Sequence, residues 1–211
     1  VRKIVLLSFL RARPNCGSAY HESKWAAEEI VRASGLDYTI FKAGVIYGRG
    51  DHMLDHLSHA LYTFPIFGLV GMREKPIRPL GVEDLVVAIC ASFQDARLSN
   101  KTVSITGPEE IALSEAVHRV GHVIGRNPVY VRMPLVLQEI IAGIAERTMK
   151  IPLLSLAQLR ILSEGIVEAL PACDSLPPDL LPITRFTTEQ IQKGLPEPGP
   201  FGLHDLRCCS A

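Results

Sequence analysis

Tyr20 and Lys24 stand four residues apart, and Ser8 precedes the tyrosine by twelve. On a helix, positions i and i+4 share a face. An ammonium group beside a phenol favours the tyrosinate, because opposite charge stabilises the ionised form. Tyr20 is therefore suited to general acid/base work. Ser8 lies at the end of one short apolar run, and Ala43 and Gly44 follow a second. In open parallel sheets, ligands sit beyond the carboxyl ends of the strands. Ser8, the Tyr20/Lys24 face and Gly44 are thus expected to converge on one pocket. Tyr-x-x-x-Lys alone is a common solvated helix pattern, so the reading depends on the elements around it.

Residues 3–9 (KIVLLSF) are nearly all apolar and suit a strand buried on both faces. Pro14, Asn15 and Gly17 mark a loop. Residues 19–34 read as a helix with Trp25, Ile30 and Val31 near one face and Glu22, Glu28, Glu29 and Arg32 largely elsewhere, stopped by Gly35. Residues 38–42 (YTIFK) form the next strand, and Gly44, Gly48 and Gly50 mark a loop. Asp51 is placed to cap a helix running to Tyr62. Residues 64–71, with Pro65, Gly68 and Gly71, read as an irregular or substrate-lining loop. A short strand at 77–80 leads to a helix at 82–93, with Glu83 and Asp84 at its N-terminal dipole. A strand at 102–105, a helix at 114–124, a strand at 129–132 and helices at 133–149 and 155–170 follow. The proline-dense stretch 171–183 reads as a linker or surface loop, and 187–193 as a last short helix. The alternation of strand and helix argues for a parallel α/β sheet.

Taken in order, Ser8 to Ala12, Tyr20-His-Glu-Ser-Lys24, Glu28, Ser34-Gly35-Leu36 and the run from Tyr38 to Asp51 (YTIFKAGVIYGRGD) resemble short-chain dehydrogenase/reductases of the extended or atypical kind. Within them the chain is most similar to the NAD-dependent epimerase/dehydratase and NmrA-like proteins and the complex I accessory-subunit-like group. Val82-Glu-Asp84 opening a helix and Ile105-Thr-Gly107 closing a strand fit the same pattern. The resemblance runs from residue 4 to about 125. It implies an α/β fold, the C-terminal part of a Rossmann-like doubly wound parallel sheet, with a smaller, helix-rich C-terminal lobe. Residues 1–125 would belong to the NAD(P)-binding domain and 126–211 to a substrate or lid lobe. It also implies that Tyr20 is the catalytic acid/base, that Lys24 lowers its pKa and holds the nicotinamide ribose, and that Ser8 polarises a substrate carbonyl. Backbone at Ala43, Gly44, Val45 and Ile46 would line the nicotinamide of NAD or NADP, which supplies the hydride.

Three departures matter. Lys42-Ala43 stands where family members usually carry Arg-Pro, which predicts a less rigid nicotinamide loop. Gly81 stands where a polar residue is common. No glycine-rich turn of the G-x-x-G-x-x-G type precedes Ser8, although the family seats the pyrophosphate on one. At about 30 residues per βαβ unit, roughly 90 residues or more are expected to be missing upstream. The expectation is that this chain binds a dinucleotide poorly by itself, and that the open edge of its first strand favours self-association. Two functions remain: an NAD(P)-dependent oxidoreductase or epimerase/dehydratase acting on a small molecule, incomplete in this chain, or a non-catalytic dinucleotide-binding redox sensor or assembly subunit.

Composition excludes other classes. Lys plus Arg and Asp plus Glu both number 22, so no nucleic-acid partner is expected. The five cysteines form no C-x-x-C pair, which suits a reducing, cytoplasmic setting. Cys90 reads as core, and Cys208-Cys209 as part of a disordered tail. The sequence has no secretory signal and no apolar run of the roughly 18 residues a membrane span needs. The most apolar helix, 133–149, is expected to pack on the core, with a membrane-surface role as the lesser alternative. His52, His56 and His59 share a helix face, and His118 and His122 repeat the i, i+4 spacing, but no H-E-x-x-H is present and no metal site is expected. A hydrolase is disfavoured because no serine sits in a G-x-S-x-G elbow.

Overall fold

Parallel strands need a crossover to bring the chain back to the same end of the sheet, and the first three elements form such a unit. The computed structural model describes residues 2–150, 152, 154–196, 199, 200 and 202. In chain order the elements are β1 (Lys3–Phe9), α1 (Ala19–Arg32), β2 (Asp37–Ala43), β3 (Ile46–Tyr47), α2 (His52–Thr63), β4 (Ile66–Val70), β5 (Pro76–Ile77), β6 (Leu80–Gly81) and α3 (Val82–Ser92). There follow β7 (Lys101–Ile105), β8 (Ile111–Ala112), α4 (Leu113–Val123), β9 (Val129–Met133), α5 (Leu135–Thr148), α6 (Leu156–Glu164), β10 (Asp174–Ser175) and α7 (Thr188–Gly194). Contacts divide the chain into two compact units that alternate along the sequence. The first is Val1–Ile46, Ile77–Glu110 and Ile166–Arg185; the second is Tyr47–Pro76, Ile111–Gly165 and Phe186–Ala211.

The first unit holds a four-stranded sheet in the order β1-β2-β7-β10, parallel throughout. Strand parity gives it two unlike faces. Phe41 and Ala43 of β2 and Val103 and Ile105 of β7 turn to one face, where Leu80, Leu85, Ala88, Leu98 and Leu176 pack on them as an apolar core. The other face carries Ser8 of β1, in register with Lys42 of β2, which is in turn in register with Ser104 of β7. Helix α1 covers that polar face, and its buried residues are His21, Glu28 and Val31. Ile30, expected to point inward, is 72% exposed. Strand β1 is half-buried rather than buried on both faces, since it ends the sheet and Leu7 is open to solvent.

The proline-dense stretch is largely exposed, as a surface loop would be, yet it also holds regular structure. It supplies β10, which pairs with β7. Around it, Leu176 is buried, Asp179 pairs with Arg97, and the Asp84 carboxylate accepts from the Ile183 and Thr184 amides. Prolines at 177 and 178 follow the strand, where no ladder N–H is needed. Cys90 is exposed rather than core, because α3 turns Leu85, Ala88 and Ser92 inward. Cys208 and Cys209 lie outside the described residues.

In the second unit, residues 66–70 are a strand, not a loop, paired in parallel with β9 from Ile66↔Val129 to Val70↔Met133. Gly68 and Pro65 had suggested irregularity, but Gly68 gives room for Met133, whose sulfur would sit 2.9 Å from an added Cβ. Asp51 caps α2 by accepting from Leu54 N at 2.7 Å. Ser155 and Gln158 form a reciprocal capping box on α6. That helix stops at Gly165, whose φ of +80° no longer fits it, and does not reach residue 170.

Gly107 lies two residues past β7, where the chain passes close to the Pro79 backbone. A Cβ there would lie 1.7 Å from the Pro79 carbonyl oxygen. Gly35 has φ +70° with nothing within 4 Å, so alanine there meets only backbone strain. Gly35→Ala is expected to cost about 1–2 kcal/mol. Gly107→Ala should cost more than about 4 kcal/mol, because backbone must move. Urea denaturation of the two variants checks the order, and equal midpoints would contradict it.

Candidate active site

Tyr20, Lys24 and Glu28 follow each other at i, i+4 and i+8 on α1, so one stripe of the helix carries all three. The lower end of the stripe is closed. Glu28 is fully buried, and its Oε1 accepts a short hydrogen bond from the Ser8 hydroxyl. Its Oε2 pairs with Arg32 at 2.7 Å, and the Lys42 ammonium lies 3.6 Å from Oε1. Lys42, 1% exposed, also donates to the Ala12 carbonyl at 2.9 Å and the Leu170 carbonyl at 3.2 Å. The Trp25 ring sits under both cations, 5.1 Å from the Arg32 guanidinium and 5.5 Å from the Lys42 ammonium.

Burial pulls the Lys42 pKa down, against the pull of the Glu28 carboxylate. Desolvation acts the same way on Arg32, but hydrogen bonds to Glu28 and Glu29 outweigh it and its pKa ends above the usual value. Each buried charge is thus paired or hydrogen-bonded, as burial requires. Neither Glu28 nor Lys42 was singled out as a site residue by the sequence reading. The i, i+4, i+8 spacing was the available signal for Glu28, and alternation along β2 was the signal for Lys42.

The upper end of the stripe is open. Tyr20 is 39% exposed, with its ring 5.4 Å from that of Phe9. The Lys24 ammonium donates to the Leu7 carbonyl at 3.4 Å, near the carboxyl end of β1. Among the described residues no hydrogen bond joins the Tyr20 hydroxyl to Ser8 or Lys24. Desolvation raises the Tyr20 pKa above its ordinary 10.0. The structure therefore brings Tyr20 and Lys24 to the expected sheet edge, while the Ser8 hydroxyl faces Glu28. His21, beside Tyr20, is buried with its Nδ1 2.7 Å from the Ser18 hydroxyl and its ring edge-on to Phe9.

Ala43 lies inside β2 rather than in a loosened loop, paired with Phe9 on one side and Ile105 on the other. Its carbonyl accepts from Leu10 N at 2.7 Å, and that of Val45 from Leu80 N at 2.8 Å. A Cβ on Gly44 would meet Ile166 at 3.2 Å, so glycine there serves close packing. Val45 and Ile46 are half-buried. Separately, a cleft of about 340 Å³ opens on the polar face of the sheet among Trp25, Arg32, Tyr38, Lys42, Thr102 and Cys173, away from Tyr20.

The histidine stripe on α2 is engaged locally. His56 meets Gln158 at 2.9 Å and burial lowers its pKa, while His59 lies 3.3 Å from Asp55. The described residues hold no group of three or more His, Cys, Asp or Glu side chains able to bind a metal ion.

Two outcomes follow from this geometry. Glu28→Ala strands two cations and should cost about 3–5 kcal/mol, whereas Glu28→Ala with Lys42→Met should cost less than the single change. A urea series reads both, and a double variant weaker than the single would break the ion-pair account. For Tyr20, a folded pKa above the unfolded value means the unfolded chain ionises first. The associated stability is full below pH 10 and is lost as pH rises through the folded pKa. Difference absorbance of the wild type against Tyr20→Phe should show the tyrosinate only above pH 10; an inflection below 9 would show an activation that the described geometry lacks.

No family model matches the chain. Among curated proteins it is 26% identical over 144 residues to the mitochondrial NADH dehydrogenase [ubiquinone] 1 alpha subcomplex subunit 9 of Arabidopsis thaliana, covering 68% of this chain and 36% of that protein. It is 26% identical over 132 residues to the ceramide reductase of Caulobacter vibrioides, covering 63% of this chain and 41% of the enzyme. The chain thus spans about two fifths or less of these relatives. Among solved structures, a nucleoside-diphosphate-sugar epimerase from Staphylococcus aureus superposes with a TM-score of 0.63 at 14% identity, covering 97% of this chain and 64% of the epimerase. MoeE5 in complex with UDP-glucuronic acid and NAD gives 0.59 at 15% identity, covering 92% of this chain and 64% of MoeE5. The parallel sheet and these likenesses agree on the fold: the chain folds like the Rossmann-type epimerases, and its sequence is similar to a complex I subunit and to a reductase.

Proposed function

We propose that the protein is an NAD(P)-binding oxidoreductase or epimerase/dehydratase and that this chain carries the acid/base half of its site. The observation that carries the reading is the open end of the α1 stripe. Tyr20 is accessible there, and Lys24 reaches the Leu7 carbonyl where β1 ends. Tyr20 would exchange a proton with a substrate oxygen, and Lys24 would hold the nicotinamide ribose. A bound NAD or NADP would supply the hydride.

The fit to that cofactor is one-sided. Residues 43–46 would flank the nicotinamide, but the Ala43 and Val45 carbonyls are already engaged and Gly44 is packed on Ile166. None of the 211 residues forms a G-x-x-G-x-x-G turn for a pyrophosphate. Ser8 joins catalysis only if its hydroxyl leaves Glu28. A small-molecule substrate, self-association through the β1 edge, a cytoplasmic site and the division at residue 125 belong to the same proposal.

A second reading, a non-catalytic dinucleotide-binding sensor or assembly subunit, is favoured by two observations. The Ser8 hydroxyl is held by Glu28, and the Tyr20 pKa lies above rather than below its ordinary value. Titration with NADH and NADPH, followed by nicotinamide fluorescence, should give no one-to-one saturation for this chain. The longest reading frame that contains it should saturate, and Tyr20→Phe in that protein should lower turnover by about 10²–10⁴-fold with binding retained. Unchanged turnover would select the non-catalytic reading, and one-to-one saturation of this chain would refute the one-sided site.

A further inference from the structure

Helix α5 is the most apolar helix of the second unit's C-terminal half, yet it is not buried. Only Gln138 and Ala142 face inward. Gln138 fixes the helix to β4, accepting from Gly71 N at 3.2 Å and donating to the Leu69 carbonyl at 3.0 Å. On the opposite side Val136, Leu137, Ile140, Ile141 and Ile144 are 68%, 46%, 57%, 43% and 56% exposed. Their spacing of i, i+1, i+4, i+5 and i+8 is that of a single helical face. The helix therefore packs inward through Gln138 and Ala142, and its aliphatic side is left exposed. Strand β9, which leads into it, adds the exposed Val129 and Val131.

We infer that this face docks on a lipid bilayer that carries anionic headgroups. The argument rests on charge and composition. Exposed cations flank the apolar face, Arg132 before the helix, Arg147 in its last turn and Lys150 just after it. Of the acids between them, Glu146 is engaged with Leu156 N at 2.9 Å, and Glu139 lies outside the apolar face. Its five exposed apolar side chains are all aliphatic, and Arg147 lies on the same side, at i+7 from Ile140. Aliphatic side chains on one side of the helix, with Arg and Lys near its ends, suit a contact with the headgroup region, where each such cation adds attraction to anionic lipid. At 14 residues α5 is about 21 Å long. No described helix is long and apolar enough to cross a membrane, so the contact is lateral.

The test is flotation of the chain with phosphatidylcholine–phosphatidylglycerol vesicles, against phosphatidylcholine alone. Co-flotation with the mixed vesicles is expected, weakening as salt rises. Ile140→Asp with Ile144→Asp should abolish it with an unchanged thermal melt, since both side chains are solvent-exposed. Arg147→Gln with Lys150→Gln should weaken binding by roughly tenfold or more on the anionic vesicles only. Absence of flotation, or flotation indifferent to the isoleucine pair, overturns the inference. So does a wild-type dimer in sedimentation that the isoleucine pair converts to monomer without vesicle binding, since a second copy then covers the face. None of these readouts depends on NAD(P).

Discussion

A carboxylate without solvent must be met by positive charge and hydrogen-bond donors, and Glu28 is in that position. Its partners come from three places in the chain: Ser8 at the end of β1, Lys42 near the end of β2, and Arg32 one turn further along α1. Lys42 extends the network to the carbonyls of Ala12 and Leu170, so the loop after β1 and the segment before β10 are tied to the same charge. This fixes how α1 lies on the sheet. Hydrophobic contact alone would leave that helix free to slide, because its buried face holds His21, Glu28 and Val31 rather than a run of aliphatic side chains.

The two faces of the sheet therefore do different work. The face toward α3 is an ordinary apolar core built on Phe41, Val103 and Ile105. The face toward α1 carries the polar groups in register. One consequence is the meaning of Lys42-Ala43. An arginine-proline pair would offer a fork and a rigid ring at this point. Lysine offers a point charge with three donors instead, and here that charge reaches two carbonyls and a carboxylate. Ala43 keeps β2 paired on both sides, so rigidity comes from the ladder and not from proline.

Much of the fold was legible because its signals are local. The runs at 3–9 and 38–42, the stop at Gly35, the cap at Asp51 and the strand at 102–105 follow from apolar patterning and terminal residues. What was not legible depends on partners distant in sequence. Residues 66–70 become a strand only because β9 pairs with them, and residues 174–175 only because β7 does. Glycine and proline in those stretches were read as breakers, although Gly68 makes room for Met133. At the site, Tyr20 and Lys24 were found through their spacing. Glu28 was placed off the buried face because a glutamate is rarely fully buried unless paired, and its partner Lys42 lies on another element.

The stripe also links stability to chemistry. Ser8 and Tyr20 belong to one candidate catalytic set, yet the structure assigns them to opposite ends of α1's polar face. Ser8 serves the buried carboxylate and Tyr20 meets solvent. For Ser8 to act on a substrate, its hydrogen bond to Glu28 must be given up, leaving that carboxylate with Arg32 and Lys42 alone. A bond to a buried charged group is worth about 1.5–3 kcal/mol, so a substrate oxygen must offer a comparable partner before the hydroxyl turns. Because Lys42 and Arg32 remain to hold the charge, that exchange costs one hydrogen bond and not the whole network. A ligand oxygen at the β1 edge thus competes with Glu28 for the Ser8 hydroxyl, and only that one bond has to change hands.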